Sequence, residues 1–279
     1  MEAKVAIQGE LGSNSHMAAI ELLPGVVVEP CRTSAEVMER LVRAAVDGAV
    51  LPFENSLHGS VAEHNDLLLG NPVRLVRESL LRIRHNVIAA PGVTLADVRD
   101  VLSHPVALSQ CRVWLAAHPD IQAMPFYDTA GAVKHLLAAG SRTQAAVAPQ
   151  LAADIYGGNI LAHGIEDSKE NFTRFHLIVR EITPGILGQM ETGMSNKMSV
   201  AFAIEHRPGT LVRALGRLAD AGVNLSKIES RPVPGSPWQY VFHVDLRFSS
   251  PDQAEEALAF LRQETRAVKE LGRYCAAAE

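Results

Sequence analysis

Three polar clusters in the first two-thirds of this 279-residue chain have the composition of a binding or catalytic site. Glu54-Asn55-Ser56 follows the apolar run 48–51, and Ser103-His104-Pro105 follows Val101-Leu102. The stretch 166–171 (Glu-Asp-Ser-Lys-Glu-Asn) leads into Thr173-Arg174-Phe175. In an open α/β sheet, ligands settle beyond the strand ends where such clusters fall. A helix opening at Pro105 would offer free N–H groups and its positive end to an anion. Plainer readings stand beside these. Ser56 or Ser60 caps a helix over 61–69, Ser103 is another cap, His104 is a surface imidazole and Arg174 a surface ion-pair partner. Recurrence at one topological place favours a site.

Other chemistries find less support. His58 and His64 are six apart, about 600° around a helix, so they point to different faces; no HExxH spacing or Cys/His cluster offers a metal site. Gly9-Glu10-Leu11-Gly12 completes neither a dinucleotide motif nor a P-loop, and no GxSxG elbow occurs. Cys31, Cys111 and Cys275 are too few and too scattered for a disulfide framework and fit a reducing compartment. With 26 basic against 31 acidic residues, a net charge of −5, the chain has no footprint for nucleic acid. No apolar run reaches the ~18 residues of a membrane span, and the N-terminus turns polar at Gln8, too soon for a signal peptide. These features predict a soluble cytoplasmic enzyme or small-molecule binder.

The elements that must position the clusters alternate strand and helix from residue 1 to 182, the pattern of an α/β sheet. Strands are predicted at 5–7, 48–51, 86–90, 101–102, 145–148 and 174–179. Helices are predicted from Ser34 to Val46, from Pro105 through Leu115, from Thr129 to about Gly140, and after Pro149. Residues 183–196 lose periodicity and read as a linker. The remainder, 197–279, reads as βαββαβ, the ferredoxin-like order of an α+β domain. Its third strand alternates, with Trp238, Tyr240, Phe242, Val244, Leu246 and Phe248 facing one way and Gln239, His243, Asp245 and Arg247 the other.

Set in order, Pro52-Phe53-Glu54-Asn55-Ser56, Ser103-His104-Pro105 with Gln110-Cys111, Asp128-Thr129-Ala130-Gly131 and Asn171-Phe172-Thr173-Arg174-Phe175 resemble prephenate dehydratase. Arg207-Pro208-Gly209-Thr210-Leu211 and 224–232 (Asn-Leu-Ser-Lys-Ile-Glu-Ser-Arg-Pro) resemble the ACT regulatory domain fused to that enzyme. The likeness runs through nearly the whole chain. It implies a catalytic domain over 1–182 with two lobes like a periplasmic binding protein, the second lobe at about 80–155, and an active site in the cleft between them. It implies conversion of prephenate to phenylpyruvate in phenylalanine biosynthesis, with loss of water and carbon dioxide and without a cofactor. No chorismate mutase segment precedes Val5, so the reading is of a monofunctional enzyme. The opening motif departs from the family's Gly-Pro-x-Gly-Thr-Phe-Ser, leaving Ser13 as a substrate-site candidate.

On that resemblance, Arg174 is assigned to the pyruvyl carboxylate, whose geometry a guanidinium fork matches. Thr173 is assigned to the departing hydroxyl, with Glu54 or His104 relaying a proton. Ser103 and the helix start add positive potential, while Asn55, Ser56, Gln110 and Asn171 orient the substrate and Phe175 supplies an apolar wall. In the ACT domain, Gly209, Thr210, Leu211, Asn224, Leu225, Glu229, Ser230 and Arg231 are expected to bind phenylalanine where two subunits meet. That implies a homodimer through ACT domains and a homotetramer overall. Two rival readings stay open: arogenate dehydratase, which acts on the transaminated side arm, and a non-catalytic solute or amino-acid sensor.

Overall fold

A computed structural model describes residues 2–181, 195–233 and 240–278. The first lobe begins with β1 (Lys4–Gln8), α1 (Asn14–Leu22), β2 (Val27–Cys31), α2 (Ser34–Val42) and β3 (Gly48–Asn55). A two-residue β4 (Gly59–Ser60), α3 (Ala62–Gly70) and β5 (Val73–Arg82) complete it. The chain then crosses into a second lobe made of β6 (Asn86–Ala89), β7 (Asp100–Ser103), α4 (Pro105–Ser109), α5 (Arg112–Ala116), β8 (Gln122–Pro125), α6 (Thr129–Ala138), β9 (Gln144–Ala148), α7 (Gln150–Tyr156) and β10 (Asn159–Ala162). It returns as β11 (Phe172–Arg180), which lies between β3 and β5, antiparallel to both. Two segments, 83–85 and 163–171, therefore cross between the lobes, and the sheet assigned to the second lobe spans 86–162.

The third unit comprises β12 (Lys197–Ala203), α8 (Thr210–Asp220), β13 (Asn224–Pro232), β14 (Tyr240–Arg247), α9 (Pro251–Glu264) and β15 (Ala267–Tyr274). Among the described residues its strands extend the first lobe's sheet into one ten-stranded surface, β13-β14-β12-β15-β5-β11-β3-β1-β2, with β4 beside β3. A separate five-stranded sheet, β10-β6-β9-β7-β8, forms the second lobe.

The backbone pairing between the first lobe's sheet and the C-terminal unit is narrow. Strand β15 meets β5 in parallel at a single paired position, Gly272 with Leu75. A Cβ at Gly272 would stand 2.1 Å from the Leu75 carbonyl oxygen, so only glycine lets the two backbones approach. Gly272→Ala is expected to part the strands and cost about 1–3 kcal/mol. An unchanged denaturant midpoint would refute that reading of the junction.

Several local expectations shift in physically legible ways. Thr33, one residue before the expected Ser34, caps α2 by accepting the Glu36 N–H, and the helix ends at Val42. The single helix expected from Pro105 to Leu115 breaks at Cys111 into α4 and α5. Asp128, not Thr129, caps α6, and Gly209, in the left-handed region at φ +82, precedes α8. On β14, Phe242, Val244 and Leu246 pack under α8 and α9 as expected. The opposite stripe, His243 and Asp245, is also buried, because it faces the first lobe. Most of the predicted linker, along with Trp238 and Gln239, lies outside the described residues.

Candidate active site

Between the lobes lies a cavity of about 570 Å³. Its walls come from the start of α1, the end of β3, the start of α3, the crossing segment at Ile83 and His85, α4, the start of α6, and β11. A larger groove of about 880 Å³ opens behind the crossing segments, lined by Met17, Ile20, Arg82, Leu151 and Lys169 among others. One part of each cluster singled out from sequence, Asn55, His104, and Thr173 with Phe175, faces the smaller cavity, whereas Glu166 and Lys169 line the larger groove.

Of the expected residues, Thr173, Asn55, His104, Gln110, Phe175 and Ser13 line this cleft together. Asn55 Nδ2 stands 2.8 Å from Asn171 Oδ1, 2.9 Å from Thr173 Oγ1 and 3.1 Å from the Phe172 carbonyl. These are all acceptors for its two hydrogens, so the Thr173 hydroxyl keeps its own hydrogen for the cleft. Asn55 Oδ1 in turn accepts from the Leu57 and His58 N–H groups, which fixes the amide. Val106 N–H donates to His104 Nδ1 at 3.3 Å, so the neutral imidazole carries its hydrogen on Nε2.

Arg174 and Glu54 are corrections. Residues alternate faces along a strand, so Thr173 and Phe175 on the cleft face put Arg174 on the opposite one. There its Nη1 lies 3.1 Å from Asp245 Oδ2 of β14, and its Nε lies 3.7 Å from Glu54. Glu54 also meets Lys227 of β13 at 3.6 Å. The guanidinium expected at the substrate carboxylate thus ties the catalytic lobe to the C-terminal domain, and Glu54 stands with it, away from the cleft. Neither lines the cavity.

Three other candidates hold the wall rather than form it. Ser103 is fully buried and donates to the Val147 carbonyl. Ser56 Oγ donates to the Glu170 carbonyl and accepts from the Phe172 N–H, clipping two loops together. Asn171 is fully buried and receives the Asn55 amide. The positive helix end expected at Pro105 is also weaker than anticipated: α4 has five residues, and His104 itself occupies the Val106 N–H. Helix α3 offers the more open N-terminus, with Glu63 of its first turn directed to Ser34. It has nine residues and no side-chain cap on its first turn, and Val61 and Ala62 open on the cleft.

The lobes touch across the cleft. Tyr127 Oη and Lys134 Nζ of the second lobe reach Glu10 of the first at 3.0 and 2.8 Å. Burial works against the Glu10 charge, but these hydrogen bonds outweigh it and hold its pKa below the ordinary value. On the other rim, Gln110 bridges His58 at 3.1 Å and the buried His85 at 2.8 Å. Sequence reading missed His58, His85 and Gln8 as cleft residues and met Asp128 only within a motif. The sequence signal was their position just beyond strand ends, and what was lacking was the lobe pairing.

In the C-terminal domain the expected effector residues separate. Thr210 Oγ1 donates to the Glu205 and Arg207 carbonyls, and Leu211 and Leu225 pack against the helix-side core. Glu229 receives Asn65 of α3 at 3.1 Å, and Arg231 pairs with Asp66 at 2.8 Å, so both engage the catalytic lobe of their own chain. Asn224 and Ser230 stay exposed on the edge strand β13.

The arrangement is a two-lobed α/β domain with a cleft between its lobes, followed by a small βαββαβ domain. Family models agree: prephenate dehydratase matches residues 5–183 and the ACT domain residues 199–263. The chain belongs to the prephenate dehydratase family and carries an ACT domain. It is 39% identical to arogenate dehydratase/prephenate dehydratase 2 of Arabidopsis thaliana, over 97% of this chain and 72% of that protein. It is 36% identical to the bifunctional chorismate mutase/prephenate dehydratase of Aquifex aeolicus, over 97% and 73%. Among solved structures, prephenate dehydratase of Arthrobacter aurescens in complex with L-Phe matches with a TM-score of 0.87 at 31% identity, over 98% of this chain and 90% of that one. GqqA, described as a novel type of quorum quenching acylase, matches with a TM-score of 0.87 at 32% identity, over 98% of both chains.

Proposed function

We propose that this protein converts prephenate to phenylpyruvate in the cleft between its lobes and that phenylalanine, bound through the ACT domain, restrains it. The observation that carries the reading is the Asn55–Thr173 pair at the cleft floor, which leaves one hydroxyl hydrogen free to point inward.

Losing the ring carboxylate and the para hydroxyl together makes an aromatic ring, so the protein must bind the dianion and help the hydroxyl leave. The open first turn of α3 suits the side-arm carboxylate. The Thr173 hydroxyl donates a hydrogen bond to the departing oxygen, and His104, once it has taken a proton from solvent to become the imidazolium, delivers it from Nε2 to make water and returns to the neutral ring. Phe175 and Ile83 form an apolar floor around the ring and leave its carboxylate poorly solvated as it departs as carbon dioxide.

Assembly as a homo-oligomer through the ACT domain draws support from its edge. Strand β13 has a partner on one side only among the described residues, and Ile228 on it is 45% exposed. A homodimer pairing these edges would bring Asn224 and Ser230 of two chains together, and dimers of that dimer give a tetramer. We place the protein in the cytoplasm; among the described residues no helix is long and apolar enough to cross a membrane.

The test is incubation of the pure protein with prephenate at neutral pH while phenylpyruvate is followed, with and without L-phenylalanine. Turnover suppressed by phenylalanine supports both halves. Turnover indifferent to saturating phenylalanine removes the regulatory half, and no turnover removes the catalytic one.

A further inference from the structure

The charges facing the cleft are lopsided. Among the described residues no lysine or arginine lines the cavity, while Asp128 and Glu63 do. Glu63 is exposed and turned toward Ser34 at the rim, so the acid within the wall is Asp128. Its Oδ1 accepts the Gly131 N–H at 2.6 Å, which caps α6. Its Oδ2 lies against Gly9 of the opposite lobe, where a Cβ would come within 2.7 Å of it and 3.6 Å of Ser13 Oγ. Gly9 has a φ of +99, so a side chain there would be strained as well as obstructed. The two lobes thus press a carboxylate between Gly9, in the loop that follows β1, and the start of α6.

Among the described residues Asp128 has no lysine or arginine in ion-pair reach, and Lys134, one turn further along α6, is spent on Glu10. Burial lifts the Asp128 carboxyl above its ordinary value and the Glu10 charge adds to the lift, outweighing the Gly131 and Glu10 N–H donors and nearby His104, which pull the other way. A carboxylate so placed repels a second anion and rewards a cation that comes with hydrogen-bond donors. Each of its oxygens keeps lone-pair capacity beyond the backbone donor that it already receives.

We propose that Asp128 reads the α-position of the substrate's side arm. It takes the ammonium of an α-amino acid arm, so this cleft turns over the transaminated analogue, arogenate, as well as the keto acid, and Asp128 sets the ratio between them. The keto arm brings one carboxylate and no cation, whereas the amino arm brings a carboxylate for a helix N-terminus and an ammonium for Asp128. This rests on the dehydratase reading above.

The experiment compares kcat/KM for arogenate and prephenate in the intact chain and in Asp128→Asn. Asparagine caps helices as well as aspartate, so α6 and the Gly131 hydrogen bond are retained while the charge is lost. Asp128→Ser, another good cap, serves if the first variant misfolds. The expected result is arogenate turnover by the unaltered protein and a fall of about 10–100-fold in the arogenate-to-prephenate ratio in the variant, the size of one charge-assisted hydrogen bond. A purely structural role would lower both substrates alike. A ratio within twofold of the parent, or prephenate turnover with none of arogenate, overturns the assignment while leaving the dehydratase reading intact. No turnover of either substrate overturns the dehydratase reading and this one with it.

Discussion

Thr173→Ala is expected to lower kcat on prephenate by about 10²–10⁴-fold, with KM changed far less, because the lost group acts on the departing hydroxyl rather than on ground-state binding. The strand around it should survive. Thr173 is 8% exposed in β11, which pairs with β3 on one side and β5 on the other, and alanine keeps both ladders. The geometry makes the prediction sharper than a generic active-site substitution. Asn55 supplies a hydrogen to Thr173 Oγ1, so the oxygen is held and polarised while its own hydrogen stays available. Thr173→Ser preserves both and should retain activity within about tenfold. Thr173→Val keeps the volume, loses the hydroxyl and should fall with alanine. Steady-state kinetics on the three variants decides the matter: a loss below tenfold in the alanine variant removes Thr173 from the mechanism.

Much of this arrangement was legible from residue types and order, and the misplacements have one physical cause. Glu54, Asn55, Thr173 and Arg174 read as one polar set because all four sit at strand ends within the motifs that carry the family resemblance. The structure divides them by strand period into Asn55 and Thr173 on the cleft side and Glu54 and Arg174 on the other. Alternation was available from sequence, but the predicted strand began at Arg174, whereas β11 starts at Phe172 and carries Thr173 within the ladder. What no local pattern carries is that another sheet docks behind β3 and β11 and needs Arg174 as a counter-ion. For the same reason nothing in the sequence marks the His243 and Asp245 stripe of β14 as buried. Helix α1 and strand β5 escaped notice for a related reason. Helix α1 opens on the polar run Asn14, Ser15 and His16 before its apolar residues, and β5 intersperses Arg74, Arg77 and Glu78 among its core residues.

Lys197→Met is expected to destabilise the whole chain by about 3–5 kcal/mol, the cost of stranding buried charge. Lys197 is 1% exposed and lies 2.8 Å from Glu78 and 3.3 Å from Asp245, themselves 3% and 10% exposed at the side chain. Arg174 reaches the same pair at 4.0 and 3.1 Å, and Ser199 Oγ donates to Asp245 at 2.6 Å. Burial alone would raise both carboxyls, yet the neighbouring cations and donors bring each below its ordinary value. These carboxylates therefore contribute stability above their unfolded pKa, and it is lost as pH falls through the folded value. Removing Lys197 reverses the balance. Burial then dominates, the folded pKa rises above the unfolded one, and protonation relieves the variant as pH falls. The gap between parent and variant should accordingly be widest near pH 8 and narrow toward about pH 5. Urea midpoints of both proteins across that range measure it directly. A gap below about 1 kcal/mol at pH 8, or one that widens on acidification, would mean that these charges do not bind the ACT domain to the first lobe. Adding Glu78→Met to Lys197→Met should recover part of the loss, since Arg174 can then answer Asp245 alone. Recovery would show that the penalty lay in an unanswered carboxylate rather than in lost packing around Lys197.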